Sequence, residues 1–416
     1  MISASQAVSR LLGAAGSRGA EGRLPPLWLS AAAITSAITV AFGVARWISH
    51  FVTNPYEEDF RIYWVGAKIG LTYGWSHIYD LNLQQQLTAS FGVPGIVNDS
   101  FHVYVTPPPV AWLLVPFTPL PVPAGYLLWT LGALAAVVAA WWLVCPGKGL
   151  GRLTLLMIAL AVWPMHYTLW LGQTAPITIL CLALAWWCME RERWAPAGAA
   201  IAVAMFIKPQ VVLLLPLAIL ISGRWKPVAY WALASAILGG ISLLSLGSHG
   251  VSTFYLNIKF TETNLINSVM TYAWFGRGLV ATSIELALAT IALGLAWYRR
   301  GRPDLVLGLG ILASTASAFH LLEYDPAVWV LPAWIVLGSK PSIPQRAWLV
   351  AGIAAAQLTS IGIFKPLLVW EAGWILMLGM EPWLAAQVDR LLVAHGDQSG
   401  QPQQTDSGHA RLGQHP

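Results

Sequence analysis

The feature that most constrains this chain is a succession of apolar runs, each about 13–25 residues long, that recur from residue 27 to about residue 380 between short polar or basic turns. Lipid cannot satisfy backbone N–H and C=O groups, so a chain crossing a bilayer must do so as helices or as a closed barrel. Barrel strands alternate apolar and polar residues over about 10 positions, whereas these runs are continuously apolar. With 57% hydrophobic and 10% charged residues in 416, the chain carries more apolar surface than a soluble domain of that length can bury. An all-α polytopic membrane protein is the expected fold.

Basic residues set the expected topology. The turns at Lys148/Arg152, Arg191/Arg193, Arg224/Lys226, Arg299/Arg300/Arg302 and Lys340/Arg346 belong together on the cytoplasmic side. Residues 1–26, with Arg10, Arg18 and Arg23, read as a cytoplasmic flank. Run 27–51 then leads outward, and 52–106 is a long first external loop whose stretch 59–73 is amphipathic enough to lie along the membrane surface. The segment 107–119 is short and proline-rich, which suits an interfacial or re-entrant piece, and leaves 121–145 as the full crossing. Further runs at 152–167, 174–189, 195–207, 210–222, 227–247, 277–298, 304–320, 326–338, 346–363 and 366–380 give about twelve spans within the bundle 27–380. Residues 381–395 read as an amphipathic surface helix and 396–416 as a disordered tail.

Span length points to a site. Runs 195–207, 210–222 and 326–338 hold about 13 residues, or about 20 Å of helix, against a hydrocarbon core of about 30 Å. If their basic ends are anchored at the cytoplasmic surface, their other ends stop below the outer one. Polar turns at that depth must line a recess, which places Gln173, Lys208, Gln210, His320, Glu323, Tyr324 and Asp325 on the floor or wall of an externally open cavity beneath loop 52–106.

Loop 52–106 opens on Glu57-Glu58-Asp59-Phe60-Arg61-Ile62-Tyr63-Trp64, a cluster of charge at the far edge of the first run. Asp59 reads either as a partner of Arg61 or a helix cap, or as a general base held near a hydrophobic wall; helical spacing turns Glu57 and Glu58 to other faces. The aromatic residues Tyr63, Trp64, Tyr73 and Trp75 anchor the loop or stack on a sugar, and anchoring is the simpler reading. Lys208 has no acid nearby in sequence and suits a phosphate headgroup, with Arg277 and Lys259 as weaker candidates for the same task. His320 sits near Glu323 and Asp325, but no two-ligand helical metal spacing is present, so neither a divalent metal nor a cofactor is indicated. Cys145, Cys181 and Cys188 lie in apolar runs and read as buried thiols. There is no phosphate-binding glycine loop, no nucleophile-elbow motif and no basic run interleaved with aromatics, which argues against nucleotide hydrolysis and nucleic-acid binding.

Taken together, several short segments resemble glycosyltransferase family 87, the polyprenol-phosphate-mannose-dependent mannosyltransferases. They are Asp59-Phe60 with Tyr63, Tyr79-Asp80, the run from Tyr104 to Pro109 with Pro116 and Pro119, Gly172-Gln173, Lys208-Pro209-Gln210, and His320 with Tyr324-Asp325. The resemblance implies a GT-C-type bundle and an essential aspartate on the first external loop, matched by Asp59, with a histidine at the late outer turn matched by His320. It further implies a polyprenyl-phosphate sugar as donor, a glycolipid or glycan acceptor, inversion at the anomeric carbon, and a site facing the periplasm or exterior of the plasma (inner) membrane. The substrate cavity is then expected to include Glu58, Arg61, Tyr63 and Tyr104.

Competing readings are a lipid or sugar transporter, a lipid-diphosphate-dependent ligase or polymerase, and a noncatalytic scaffold. A transporter predicts symmetry-related repeats, of which the sequence gives no convincing sign. A ligase predicts arginines clustered in a large external loop, whereas 248–276 offers Lys259.

Overall fold

The structure, a computed structural model, describes residues 25–53, 58–91, 103–264, 270–276 and 278–380, with the side chains of 58 and 260–264 left out. Arg277, Glu57, the Glu58 side chain, the N-terminal flank up to residue 24 and the segments expected at 381–395 and 396–416 lie outside the described residues. Among the described residues the secondary structure is entirely helical. In chain order the helices are α1 Leu27–Thr53, α2 Glu58–Tyr73, α3 Leu81–Ala89, α4 Pro108–Leu114, α5 Val122–Val144, α6 Gly149–Ala161, α7 Trp163–Leu171 and α8 Ala175–Met189. There follow α9 Trp194–Ile207, α10 Leu215–Ile221, α11 Trp225–Asn264, α12 Leu279–Tyr298, α13 Pro303–Ala316, α14 Val330–Gly338, α15 Ile343–Leu358 and α16 at 365–380.

Four helices, α1, α5, α11 and α12, are long and apolar enough to cross a membrane singly. Their outward surfaces carry exposed Leu, Ile, Val and Trp side chains, such as Ile38, Leu131, Leu244 and Leu286, as expected where lipid replaces water as the solvent. The expected single span 152–167 is instead two helices, α6 and α7, bent by 63°. Pro164 explains the break, because a proline inside the helix would remove a backbone donor and clash with the preceding turn. The expected outer loop from 248 is likewise corrected: α11 continues through a kink at Gly247 to Asn264.

The polypeptide builds two hydrophobic cores. The larger, inside the bundle, gathers buried residues of α5 to α10 and α12 to α16, among them Met165, Ile179, Ile201, Leu215, Leu309 and Trp374. The smaller belongs to an outer layer made of α2, α4, the start of α5 and the turn after α2, with Phe60, Trp64, Ile69, Ile78, Tyr79, Tyr104, Leu114 and Tyr126 at its centre. Trp64 and Tyr63 therefore serve as packing residues here, and the Trp64 indole donates to Phe117 O at 3.2 Å. Asn257, on the outer half of α11, donates to Tyr79 O at 2.8 Å and ties that half to the layer.

Helices α8, α9, α13 and α14 share one arrangement. Each runs from a basic turn, at Arg191, Arg193, Arg302 and Lys340 respectively, to a polar turn where the two cores meet. At the basic end, Arg224 donates to Arg300 O at 2.9 Å, and the Arg299 guanidinium donates to Gly379 O. The basic turns thus lie at the end of these helices away from the outer layer. The 14 residues of α9 span about 21 Å, so its Lys208 end stops short of the full thickness of a hydrocarbon core.

Candidate functional site

The three polar turns meet at Lys208. Helix α9 ends there, and the lysine is held in an extended conformation (φ −147°) before the 3-10 turn Pro209–Val211 because proline cannot continue the helix. Its Nζ lies 2.6 Å from Asp325 Oδ1, with the side chains 4% and 1% exposed. This is a close ion pair rather than an aligned hydrogen bond, since Oδ1 lacks a partner at hydrogen-bond angles while Oδ2 accepts from Leu322 N at 2.8 Å. Sequence proximity could not reveal the pairing: the lysine and the acid are far apart in the chain. Lys208 is therefore already partnered by a buried acid. The ammonium also donates to Gln173 Oε1 at 3.1 Å and stands 4.9 Å from the centre of the Tyr324 ring.

Gln173 joins this group to the outer layer. The same Oε1 accepts from the Tyr63 hydroxyl at 3.1 Å, so one amide oxygen bridges α2 and α9. Gln173 follows Gly172, which caps α7 in the left-handed region at φ 72°. A Cβ there would stand 2.7 Å from Phe60 Cβ, so glycine permits both the turn and the close approach of α2. Trp129 Nε1 donates to Gly172 O at 2.7 Å, and Thr168 Oγ1 donates to Tyr324 O at 3.0 Å; together these fix the two turns against each other.

Asp59 enters from above, half-buried in the first turn of α2, where a negative charge complements the helix dipole. Its carboxylate lies close enough to Tyr63 and Tyr324 that, after burial itself, Asp59 is the leading charge raising both phenol pKa values, with Asp325 next. Tyr63, Gln173, Lys208, Tyr324 and Asp325 thus form one continuous group across the junction of the cores, with Asp59 near enough for its charge to act on both phenols. His320 belongs to it as well: burial lowers its pKa, Asp325 opposes that shift and Lys208 adds to it. Its Nδ1 is buried without a hydrogen-bond partner among the described residues. Glu323 is half-buried in the same turn, and burial raises its pKa. Gln210 lies partly exposed in the 3-10 turn beside Lys208.

Other candidates fall elsewhere. Tyr104, expected on the cavity wall, is a fully buried packing residue of the outer layer whose hydroxyl donates to Pro107 O at 2.9 Å and accepts from Ala111 N at 3.0 Å. Arg61 is buried at 5% exposure. Lys259 is exposed on α11 with its Nζ 4.6 Å from the Tyr255 ring centre. Glu371, which is not among the residues expected from the sequence, is a fully buried acid on α16 whose oxygens lie near Thr315 Oγ1 and 3.0 Å from the Tyr272 hydroxyl. The available signal was a lone acid within an otherwise apolar run.

What the group offers chemically is a half-buried carboxylate above a buried, neutralised cation, with a neutral imidazole and two un-ionised phenols around them. Such a set can accept a proton at the carboxylate and donate hydrogen bonds from the ammonium and the phenols. Comparison with known proteins bears on this reading. A model of Glycosyltransferase family 87 matches residues 104–337, a stretch that begins after Asp59 and contains the turns of Gln173, Lys208 and Asp325. No curated protein and no solved structure matches the chain. Because that stretch takes in more than half of the sequence, including all the turns that converge on the lysine, the chain belongs to glycosyltransferase family 87.

Proposed function

We propose that this membrane glycosyltransferase moves a hexose, mannose by resemblance, from a polyprenyl-phosphate donor to an extracytoplasmic lipid or glycan acceptor. The observation that carries the reading is the grouping of Asp59 with Lys208, Gln173 and Asp325 at the end of the bundle opposite the basic turns. By the positive-inside rule that end faces the periplasm or exterior of the plasma (inner) membrane.

In this mechanism Asp59 accepts the proton of an acceptor hydroxyl as its oxygen attacks the anomeric carbon. The bond from that carbon to the phosphate oxygen breaks on the opposite face, so configuration inverts and the polyprenyl phosphate departs with the bonding electrons. The departing phosphate needs positive charge more than a proton. Asp325 already balances the charge of Lys208, so the ammonium, held by Asp325 and Gln173, contributes an N–H donor to the phosphate, and Arg277, assigned to the lipid phosphate from the sequence, contributes positive charge. His320, neutral because of its burial, orients the acceptor or donates to the phosphate.

The test is transfer by purified, detergent-solubilised protein from three labelled donors: a synthetic polyprenyl-phosphate mannose, a polyprenyl-diphosphate sugar and a nucleotide sugar. The proposal expects product from the first alone, with the anomeric configuration inverted. Product from the diphosphate donor alone would favour a ligase, and retention of configuration would remove the single-displacement mechanism.

A further inference from the structure

We propose that His77, Asp80 and His249 form a binding site for a zinc-class divalent cation that clips the outer half of α11 to the layer carrying Asp59. One ligand atom from each of the three side chains lies within 4.8 Å of the others. Tetrahedral zinc with bonds of about 2.0–2.2 Å holds its ligand atoms about 3.3 Å apart, so closure asks for a shift of about 1.5 Å. His249 is exposed and His77 and Asp80 are only half-buried, so side-chain rotation can supply it. Two imidazoles with one carboxylate favour zinc over calcium or magnesium, which prefer all-oxygen surroundings.

The backbone that presents these ligands is held from several directions. His77 and Asp80 share a turn in which Asp80 N donates to His77 O at 2.9 Å. Asp80 Oδ1 caps α3 by accepting from Asn82 N at 3.0 Å and Leu83 N at 3.4 Å, which orients the carboxyl and leaves Oδ2 to bind an ion. His249 arrives from the far side, just beyond the Gly247 kink, and its ring centre lies 4.9 Å from that of His77. The next residue, Gly250, brings α11 so close that an added Cβ would stand 3.0 Å from Ser76 O. The Asn257 bond to Tyr79 O and the 4.7 Å ring contact of Phe254 with Tyr79 continue the same seam. Such supporting contacts fix ligand orientation before a metal arrives.

Trp75 starts just after α2 ends, and the helix between it and Asp59 is about 21 Å long. The ion is therefore structural. Ligands from one turn and one kinked helix join parts of the chain that are otherwise held by a hydrogen bond and ring packing. Open coordination positions beside exposed His249 are filled by water.

Tag-free, full-length protein in detergent, stripped with a chelator, is titrated with zinc by calorimetry and with cobalt by visible absorption. The result expected is one equivalent bound, a d–d absorption band from the cobalt form, and a melting temperature that rises with zinc. His77→Gln and His249→Gln should each weaken binding by at least about tenfold, a loss seen even for residues that only support a metal ligand. His249→Cys, which keeps a ligand atom, should restore binding and shift the cobalt band. Absence of stoichiometric binding would overturn the proposal, and so would equal affinity in wild type and both glutamine variants, because the ion would then reside elsewhere.

Discussion

Lys208→Met tests how strongly the buried pair is coupled. Both side chains are almost fully out of solvent, at 4% and 1% exposure, so the variant leaves the Asp325 carboxylate in the interior without its cation. Breaking a buried pair in this way costs about 3–5 kcal/mol. Asp325→Asn removes the charge but keeps an acceptor for Leu322 N, whose 2.8 Å bond is worth about 1 kcal/mol. Combining the two changes removes both charges together, and the double variant should recover about 2–3 kcal/mol relative to the sum of the single losses. Reversible unfolding in mixed detergent micelles measures all three. Strictly additive losses, or a Lys208→Met variant as stable as wild type, would refute the claim that these groups stabilise one another. Transfer activity should remain lost in the double variant even with its stability recovered.

Further expectations concern the surrounding turns. Burial lowers the His320 pKa below 6.5, so the unfolded chain takes up this proton first; the stability contribution is full above about 6.5 and is lost as pH falls below it, and His320→Gln should flatten that part of the unfolding-midpoint profile. Glu323 has the opposite sign, since burial raises its pKa and the cost appears as pH rises above 4.5. Gly172→Ala places a Cβ 2.7 Å from Phe60 Cβ at a φ of 72°, and should destabilise by about 2–4 kcal/mol and lower transfer by moving α2; an unfolding midpoint equal to wild type would count against that packing. A cysteine substitution at Gln210 in a cysteine-free background should react with a membrane-impermeant thiol reagent added outside cells, whereas labelling solely in inside-out vesicles would reverse the orientation.

Much of the architecture was legible because lipid imposes a simple rule on sequence. Apolar runs had to become helices, and helix α2 occupies Glu58–Tyr73, close to the amphipathic stretch seen at 59–73. The short run before Lys208 is matched by α9, and the prolines at 107–119 by α4 and its 3-10 turn. What stayed hidden depended on contacts between distant segments. Composition showed no acid beside Lys208, and only the tertiary fold brings Asp325 to it. Tyr104 looked like a cavity residue because it stands among motif residues, yet its hydroxyl completes backbone hydrogen bonds at the start of α4. The continuation of α11 past Gly247 was masked by polar residues such as Ser248, His249 and Asn257, which suit the outer layer rather than lipid. Pro164 divides the run 152–167, an effect that the hydropathy of the run does not register.

The central claim is that Asp59 removes the acceptor proton in the site it shares with Lys208. Its most direct test is the rate of sugar transfer from polyprenyl-phosphate mannose by purified wild type, Asp59→Asn and Glu58→Gln proteins of matched fold and donor binding. The account predicts a loss of at least about 100-fold for Asp59→Asn and near-wild-type turnover for Glu58→Gln. Equal turnover by wild type and Asp59→Asn would contradict it.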